Sequence, residues 1–442
     1  TMGPDYQAPP EFAEKPGQAV LGEAWWAVYH DPLLDQLEPQ VAVSNQTLKA
    51  SEAAYRSAVA TADAANAVLF PTLGLSAGAS RAQSSSLRGD GPRVGNQFAT
   101  SLSASWALDL WGSLRRAAES ADASRQASAA DLAAARLTAQ AALAADYFAL
   151  RAADELKGLL DRSVEAYTQS LQITRNQYAA GVAARVDVEQ AETQLASTRA
   201  QSIAVDNQRT QLAHAMATLL GKPAKDFAIA PVDGALAPPP VIPAAVPSAL
   251  LQRRPDIAAA ERRMAAANAQ IGVAEAAYYP SLTLTGSSGL STPVIGQLFE
   301  AGSWLWSAGS QFAETIFDAG ARDARLAQAR AGYDQEQALY RQTVLSALQQ
   351  VEDQLAALRI LAAQAEVEEV AVASSQEAER LSLNQYKAGT VAYTTVITAQ
   401  TAALSARQSA LTIRQNRLAA SVSLMQAMGG GWNGLGTAGE TP

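Results

Sequence analysis

Side chains able to do covalent or metal chemistry are scarce here. The chain has no cysteine and two histidines, His30 and His214. Without a thiol there is no thiolate nucleophile, no disulfide and no cysteine-held metal. Two histidines this far apart offer no metal-ligand spacing, and both read as structural. No serine-centred elbow is set between a strand and a helix, so a hydrolase triad has no nucleophile. Met216, Met264, Met425 and Met428 fall at helical spacing and read as packing residues rather than a copper path. What remains is polar but not reactive. Asp187, Glu189 and Glu192 follow Gly181, and Thr395 and Thr398 follow Gly389. Asp187, two residues after Arg185, reads as a helix cap, and the two glutamates as solvated side chains. With no nucleophile or metal-ligand set converging on them, such groups are expected to hydrogen-bond and to attract or repel ions. An enzyme and a cofactor are therefore not expected.

The elements that carry these residues are unusual. Of the 442 residues, 48% are hydrophobic and only 17% are charged. Much of the apolar part is alanine, which suits long helices whose backbones approach closely. The net charge of -9, with no basic run, argues against nucleic acid as a partner. No run of 18 apolar residues exists, so no transmembrane helix is expected, and a membrane role would require strands.

The chain also repeats itself. Asn176-Gln177-Tyr178-Ala179-Ala180-Gly181 returns 208 residues later as Asn384-Gln385-Tyr386-Lys387-Ala388-Gly389, and the same offset carries Gly112 to Gly320 and Gly221 to Gly429. Phe70-Pro71-Thr72-Leu73 returns as Tyr279-Pro280-Ser281-Leu282. Two copies, 41–221 and 250–429, are joined by a Pro-rich linker at Ala235–Pro247. Each copy reads as helix, proline, two strands, glycine, a very long helix, a glycine turn and a helix. Leu114–Tyr178 contains no proline and one glycine. As one helix it would run roughly 100 Å. Val164, Tyr167, Leu171, Thr174 and Tyr178 alternate by three and four, which is coiled-coil spacing. The shorter helices, Val41–Phe70 and Arg185–Leu220, together match the long one in length, so they are expected to stack end to end beside it.

The strands alternate with period two. Leu73, Leu75, Ala77 and Ala79 oppose Thr72, Gly74, Ser76 and Ser80; Phe98, Thr100, Leu102, Ala104, Trp106 and Leu108 oppose a serine-rich face. Leu282, Leu284 and Leu290 repeat the pattern, while in Trp304–Phe317 the charged Glu314 shares the apolar face. Apolar on one side and Ser/Thr/Gly on the other is the pattern of an outer-membrane barrel. Phe70, Trp106, Trp111, Tyr278, Tyr279, Trp304 and Trp306 gather at the strand ends, where aromatic rings favour a membrane interface. Loops at Ser84–Asn96 and Ser291–Ser303 would sit at an open mouth. Four strands cannot close a barrel, so this pattern demands oligomers: eight strands in a dimer, twelve in a trimer.

Arg254-Pro255-Asp256-Ile257 with Ala260-Glu261-Arg262, then Ala267–Val273 and Tyr279-Pro280-Ser281-Leu282, resembles the signature of TolC-like outer membrane efflux factors, in the branch that serves resistance–nodulation–division pumps. The opening Gly3-Pro4-Asp5-Tyr6, Trp25-Trp26 with Asp31-Pro32-Leu33, and the ending Gly429-Gly430-Gly431-Trp432 extend the resemblance over the whole chain. It implies an α+β fold, mostly long α-helical coiled coils plus four β-strands per chain. Three copies would form a twelve-stranded transmembrane β-barrel continuous with a twelve-helix periplasmic α-barrel. In those terms 41–70, 114–221, 255–279 and 322–428 are tunnel helices, 71–110 and 280–317 barrel hairpins, and 1–40, 222–249 and 433–442 an irregular equatorial belt. The implied partners are two further copies, a periplasmic adaptor, an inner-membrane efflux transporter and outer-membrane lipid. Members of the family often carry a lipid on a cysteine that begins the mature chain; here that place would precede Thr1.

The resemblance also assigns a gate. The tips Tyr178–Val188 and Tyr386–Val396 would form the constricted periplasmic end, with Gly181, Val182, Ala183, Gly389, Thr390 and Val391 meeting the adaptor. Asp187 and Tyr386 match the family's closing network and would hydrogen-bond each other. Thr395 and Thr398 stand where relatives often have carboxylates, Thr401 where some have a basic residue, and Val391 where others have arginine. The expected gate is held by packing and neutral hydrogen bonds, supplemented by Asp187, Glu189 or Glu192. Two other readings remain open on the sequence: a duct of this kind for type I protein secretion, and a soluble coiled-coil scaffold.

Overall fold

A computed structural model describes residues 24–84, 93–232, 234, 236–240, 253–432, 434 and 435. The opening motif, the tip of the first strand loop, most of the Pro-rich linker and the last residues of the expected belt lie outside these residues. The order is α1 (Pro32–Ser44), α2 (Gln46–Ala67), β1 (Thr72–Ser84), β2 (Arg93–Leu108), α3 (Ser113–Ala179), α4 (Arg185–Leu219), α5 (Pro255–Ala276), β3 (Ser281–Thr292), β4 (Trp304–Ala313), α6 (Ala321–Lys387) and α7 (Tyr393–Ala427). The long helices α3 and α6 have 67 residues each, and α4 and α7 have 35 each. Among the described residues no helix is long and apolar enough to cross a membrane.

The described residues fall into two compact units: one from 24–52, 130–258 and 343–435, the other from 53–129 and 259–342. The first holds the larger buried side chains. Trp25, Leu34, Leu143, Tyr147, Leu150, Met216, Leu220, Leu418, Leu424 and Met425 belong to one buried cluster. A second cluster contains Leu160, Tyr167, Leu171, Leu195, Tyr386, Tyr393, Val396 and Leu404. In the second unit the buried helix positions are mainly alanine, including Ala118, Ala123, Ala127, Ala266 and Ala269. Side chains this small let helices sit close, and they bury little apolar area each.

The first helix starts earlier than its periodicity suggests. Residues 1–40 were expected to be irregular, yet α1 begins at Pro32, after a single turn at Trp25–Tyr29. Asp31 is the reason: its carboxylate accepts from Leu33 N at 2.9 Å and Leu34 N at 3.1 Å, with Pro32 in the first turn. The expected helix over 41–70 is instead broken at Asn45, whose backbone is extended. Asn45 caps α2 by accepting from Thr47 N at 2.9 Å and Leu48 N at 3.1 Å. Its amide also donates to Leu219 O at 2.9 Å. The end of α4 therefore abuts the start of α2, as end-to-end stacking requires. Gly221, with φ +64°, completes the junction: a Cβ there would lie 2.2 Å from Ser44 O. The second copy makes the same joint with other residues. Arg254 donates to Ala427 O at 2.8 Å, and a Cβ on Gly429 (φ +91°) would lie 2.0 Å from Arg253 O.

The four strands make one antiparallel sheet in chain order, β1-β2-β3-β4. The two hairpins join along β2 and β3, with Trp106 opposite Leu284 and Thr100 opposite Leu290. The sheet edges are β1 and β4. Strand boundaries differ from expectation in both hairpins. Ser84 and Arg93 are still in strands, so the first loop is shorter than 84–96. The second loop folds into two short turns, Ile295–Gln297 and Ala301–Ser303. The last strand stops at Ala313, so Glu314 is off the sheet and its clash with the apolar face disappears.

Candidate functional site

Two surfaces gather the residues singled out by the sequence. The first is the pair of helix tips, both in the first unit. Each long helix ends on glycine in the left-handed region, Gly181 at φ +76° and Gly389 at φ +75°. The closing bonds are the same in both copies. Gly181 N donates to Tyr178 O at 2.9 Å and Val182 N to Gln177 O at 2.8 Å. Gly389 N donates to Tyr386 O at 2.9 Å and Thr390 N to Gln385 O at 3.0 Å. A Cβ on either glycine would meet nothing within 4 Å. Glycine is needed here for its positive φ and not for space.

Above these turns a buried tyrosine cluster ties the hairpins together. The rings of Tyr386 and Tyr393 lie 5.0 Å apart. Tyr386 donates its hydroxyl to Thr174 Oγ1 at 3.4 Å, the Tyr393 and Ser170 hydroxyls lie 3.3 Å apart, and Tyr167 donates to Gln400 O at 3.2 Å. Burial pushes the Tyr167 phenol up to about 12 and raises those of Tyr386 and Tyr393; the negative charge of Asp187 adds to the rise at Tyr386. All three are neutral hydrogen-bonding groups at physiological pH.

This geometry corrects one expectation. Asp187 and Tyr386 do not hydrogen-bond within the chain. Tyr386 spends its hydroxyl on Thr174, and Asp187 turns back to accept from Ala184 N at 3.2 Å, capping its own helix. Glu192 pairs with Arg175, and Glu189 with Arg185 at 3.3 Å. Thr395 and Thr398 are exposed on α7, and Thr398 donates its hydroxyl to Thr394 O at 2.9 Å. Val182 and Gly181 are exposed, Ala183 is half-buried, and on the other tip Gly389 and Thr390 are exposed beside a half-buried Val391. Tyr393, Ser170 and Gln400 had not been singled out. Tyr167 and Thr174 were visible as coiled-coil positions, but their spacing does not reveal which hydroxyl each would meet.

The second surface is the sheet. Cross-strand partners share a face. One face collects Leu73 and Leu75 with Ala104 and Leu102, Trp106 with Leu284, Leu282 with Phe312, and Leu290 with Trp304. Leu75 is 78% exposed and Trp306 66%. The other face is Ser, Thr and Gly, laced by hydroxyls. Ser76 and Ser101 lie 2.9 Å apart, Ser287 and Ser307 2.8 Å, and Ser103 donates to Gly74 O at 3.3 Å. Aromatics mark both ends of the apolar face. At the helix-proximal end Trp111 stacks on Tyr279 with centroids 4.8 Å apart and donates to Pro280 O at 2.7 Å; Trp106 donates to Leu69 O at 3.0 Å. Phe70 is exposed there too, and Tyr278 donates to Asp323. At the loop end, Trp304 donates to Ser288 Oγ at 3.1 Å, two residues before Trp306. Trp304 and Phe312 are eight residues apart on one strand, about 26 Å. Tilted, that length fits the apolar band of an outer-membrane barrel.

An apolar band bounded by aromatics, backed by a polar face and continued by 67-residue helices, defines an outer-membrane channel protein. The chain belongs to the outer membrane efflux protein family, whose profile matches residues 37–222 and again 246–430. Among curated relatives, the antibiotic efflux pump outer membrane protein ArpC of Pseudomonas putida is 31% identical over 97% of this chain and 92% of its own. The pyoverdine export outer membrane protein OpmQ of the same species is 32% identical over 96% and 92%. Among solved structures, the outer-membrane channel OprN superposes with a TM-score of 0.89 at 29% identity, covering 98% of this chain and 99% of that one. The open state of the Neisseria gonorrhoeae MtrE channel gives 0.82 at 28% identity, over 99% and 100%. This protein is an outer-membrane exit duct of an efflux system.

Proposed function

We propose that three copies of this chain close a twelve-stranded barrel and conduct small molecules passively outward, receiving them from an inner-membrane transporter through a periplasmic adaptor. The observation that carries this reading is the sheet: one apolar face continuous across four strands, with β1 and β4 left as its edges. An open edge in lipid leaves backbone groups without partners, at several kcal/mol each. Pairing β4 of one copy with β1 of the next removes every edge. Two copies would give eight strands; the likeness to solved outer-membrane channels favours three and a wider lumen. The Ser/Thr/Gly face then lines the lumen and the leucines and tryptophans face lipid. The role is conduction and not catalysis. Cargo is set elsewhere: relatives of similar identity are called antibiotic, toluene and pyoverdine exporters.

The tips are the gate in this proposal. What supports it is the neutral tyrosine and threonine network of Tyr386, Tyr393, Thr174 and Ser170, with the threonines Thr395 and Thr398 in place of carboxylates. Asp187 acts by fixing the start of α4, and Glu189 and Glu192 are exposed in ion pairs. Gly181 and Gly389 shape the ends that meet the adaptor. Two measurements on purified protein test the reading. Detergent-corrected mass should give three chains. In planar bilayers, Tyr386→Phe with Tyr393→Phe should raise single-channel conductance, and Asp187→Ala should raise it less. A monodisperse monomer soluble in plain buffer overturns the duct; unchanged conductance in all variants overturns the gate.

A further inference from the structure

The two hairpins leave a groove of about 420 Å³ between α4 and α7 just behind the tips. That is within the usual range for small-molecule sites. Its chemistry is one-sided. Glu189 is the only charged side chain that lines it. Its Oε1 takes a single 3.3 Å bond from Arg185, and both side chains are largely exposed, so the pair is weak. Two of the three lining threonines have committed their protons: Thr193 donates to Glu189 O at 2.8 Å and Thr398 to Thr394 O at 2.9 Å, leaving lone pairs toward the groove. Gln190 Oε1 is buried with no donor and adds a further negative dipole end. Val186 and Ile397 provide apolar wall.

A carboxylate, hydroxyl lone pairs and an aliphatic wall match one class of ligand. We infer that this groove binds small organic ammonium compounds that carry an apolar body. The ammonium lies against Glu189 with its N–H groups shared among the carboxylate and the threonine oxygens, and the apolar part rests on Val186 and Ile397. No lining residue offers a cation to an anionic ligand, and a neutral ligand would gain nothing from the charge of Glu189. The site stands on the groove's own groups and does not depend on whether the assembled protein conducts.

The test titrates benzylammonium into the full-length detergent-extracted protein and follows binding by saturation-transfer NMR, with benzyl alcohol as the neutral counterpart. Benzylammonium should saturate, and benzyl alcohol should bind at least roughly tenfold more weakly. Glu189→Gln should weaken benzylammonium roughly tenfold, while Glu192→Gln, on the carboxylate paired with Arg175, should not. Arg185→Gln removes the competing cation and should tighten binding, a change that misfolding cannot mimic. Equal binding of the alcohol, an unaltered affinity in Glu189→Gln, weaker binding in Arg185→Gln, or no saturable binding overturns the inference. Conductance of the same preparation reads the duct independently, so loss of one result leaves the other standing.

Discussion

The two copies of the repeat agree in backbone and differ in what their side chains are used for. Both long helices have 67 residues and both return helices have 35. Both tips turn on a glycine with the same pair of hydrogen bonds. Yet the Asn-Gln-Tyr string before each turn meets opposite surroundings. Tyr178 is 47% exposed, whereas Tyr386 is 5% exposed and packed on Tyr393. The first tip carries ion pairs, Arg175 with Glu192 and Arg185 with Glu189; the second carries threonines. A duplicated backbone can thus hold one hairpin as the buried, neutral half of a contact and leave the other as the charged, solvated half.

Four substitutions sharpen that contrast. The largest effect should come from the joint between return helix and first helix. Gly221→Ala and Gly429→Ala each force a Cβ onto a backbone carbonyl, at 2.2 Å and 2.0 Å, in a left-handed conformation. Each should cost more than about 3 kcal/mol, seen as loss of assembled protein or a steep fall in urea midpoint. Similar losses in both would show that the joint is equivalent in the two copies. Tyr386→Ala should cost about 3 kcal/mol through lost packing, and Tyr178→Ala under about 1 kcal/mol. Equal costs would remove the asymmetry of the tips.

Glu38 sharpens the comparison through pH. It is buried in α1 with neither carboxylate oxygen partnered, and burial pushes its pKa from 4.5 up to about 9. The folded chain keeps this proton to about pH 9, whereas the unfolded chain releases it near 4.5. Stability from this group is therefore full below pH 4.5 and falls as pH rises toward 9. Glu38→Leu should raise the melting temperature by several degrees at pH 8 and by little at pH 5, in paired calorimetric scans. A gain independent of pH would mean that the leucine acts only by packing. The smallest effect belongs to the turns: Gly181→Ala and Gly389→Ala meet open space and pay only for positive φ, about 1 kcal/mol in an unfolding titration.

What the sequence reveals follows how locally each feature is caused. Strand alternation and the glycine stops depend on a few neighbouring residues, so Leu73 to Ala79 and Gly181 to Gly389 could be read directly. The cap at Asp31-Pro32 was equally local, but served there as a family mark and not as a helix start. The joint was half legible: Gly221 and Gly429 stood out as a pair, while Asn45 and Arg254 did not, because different residue types do the same work on Leu219 O and Ala427 O. The tip was least legible. Which hydroxyl Tyr386 would reach depends on α3 and α6 lying side by side, with 212 residues between Tyr386 and Thr174. Of the two readings open for Asp187, the local one holds: it takes the free N–H of Ala184 as a helix cap and does not reach Tyr386.

The pairing of the sheet carries a consequence for how such a chain can change over generations. Each residue in β1 to β4 faces lipid or lumen by parity alone. Deleting or inserting a single codon inside a strand would swap every later side chain of that strand between the two sides, setting serines in hydrocarbon and leucines in water. Length variation should therefore collect between β3 and β4, where Ile295–Gln297 and Ala301–Ser303 keep no register with a partner strand, and drift within the strands should proceed by substitution.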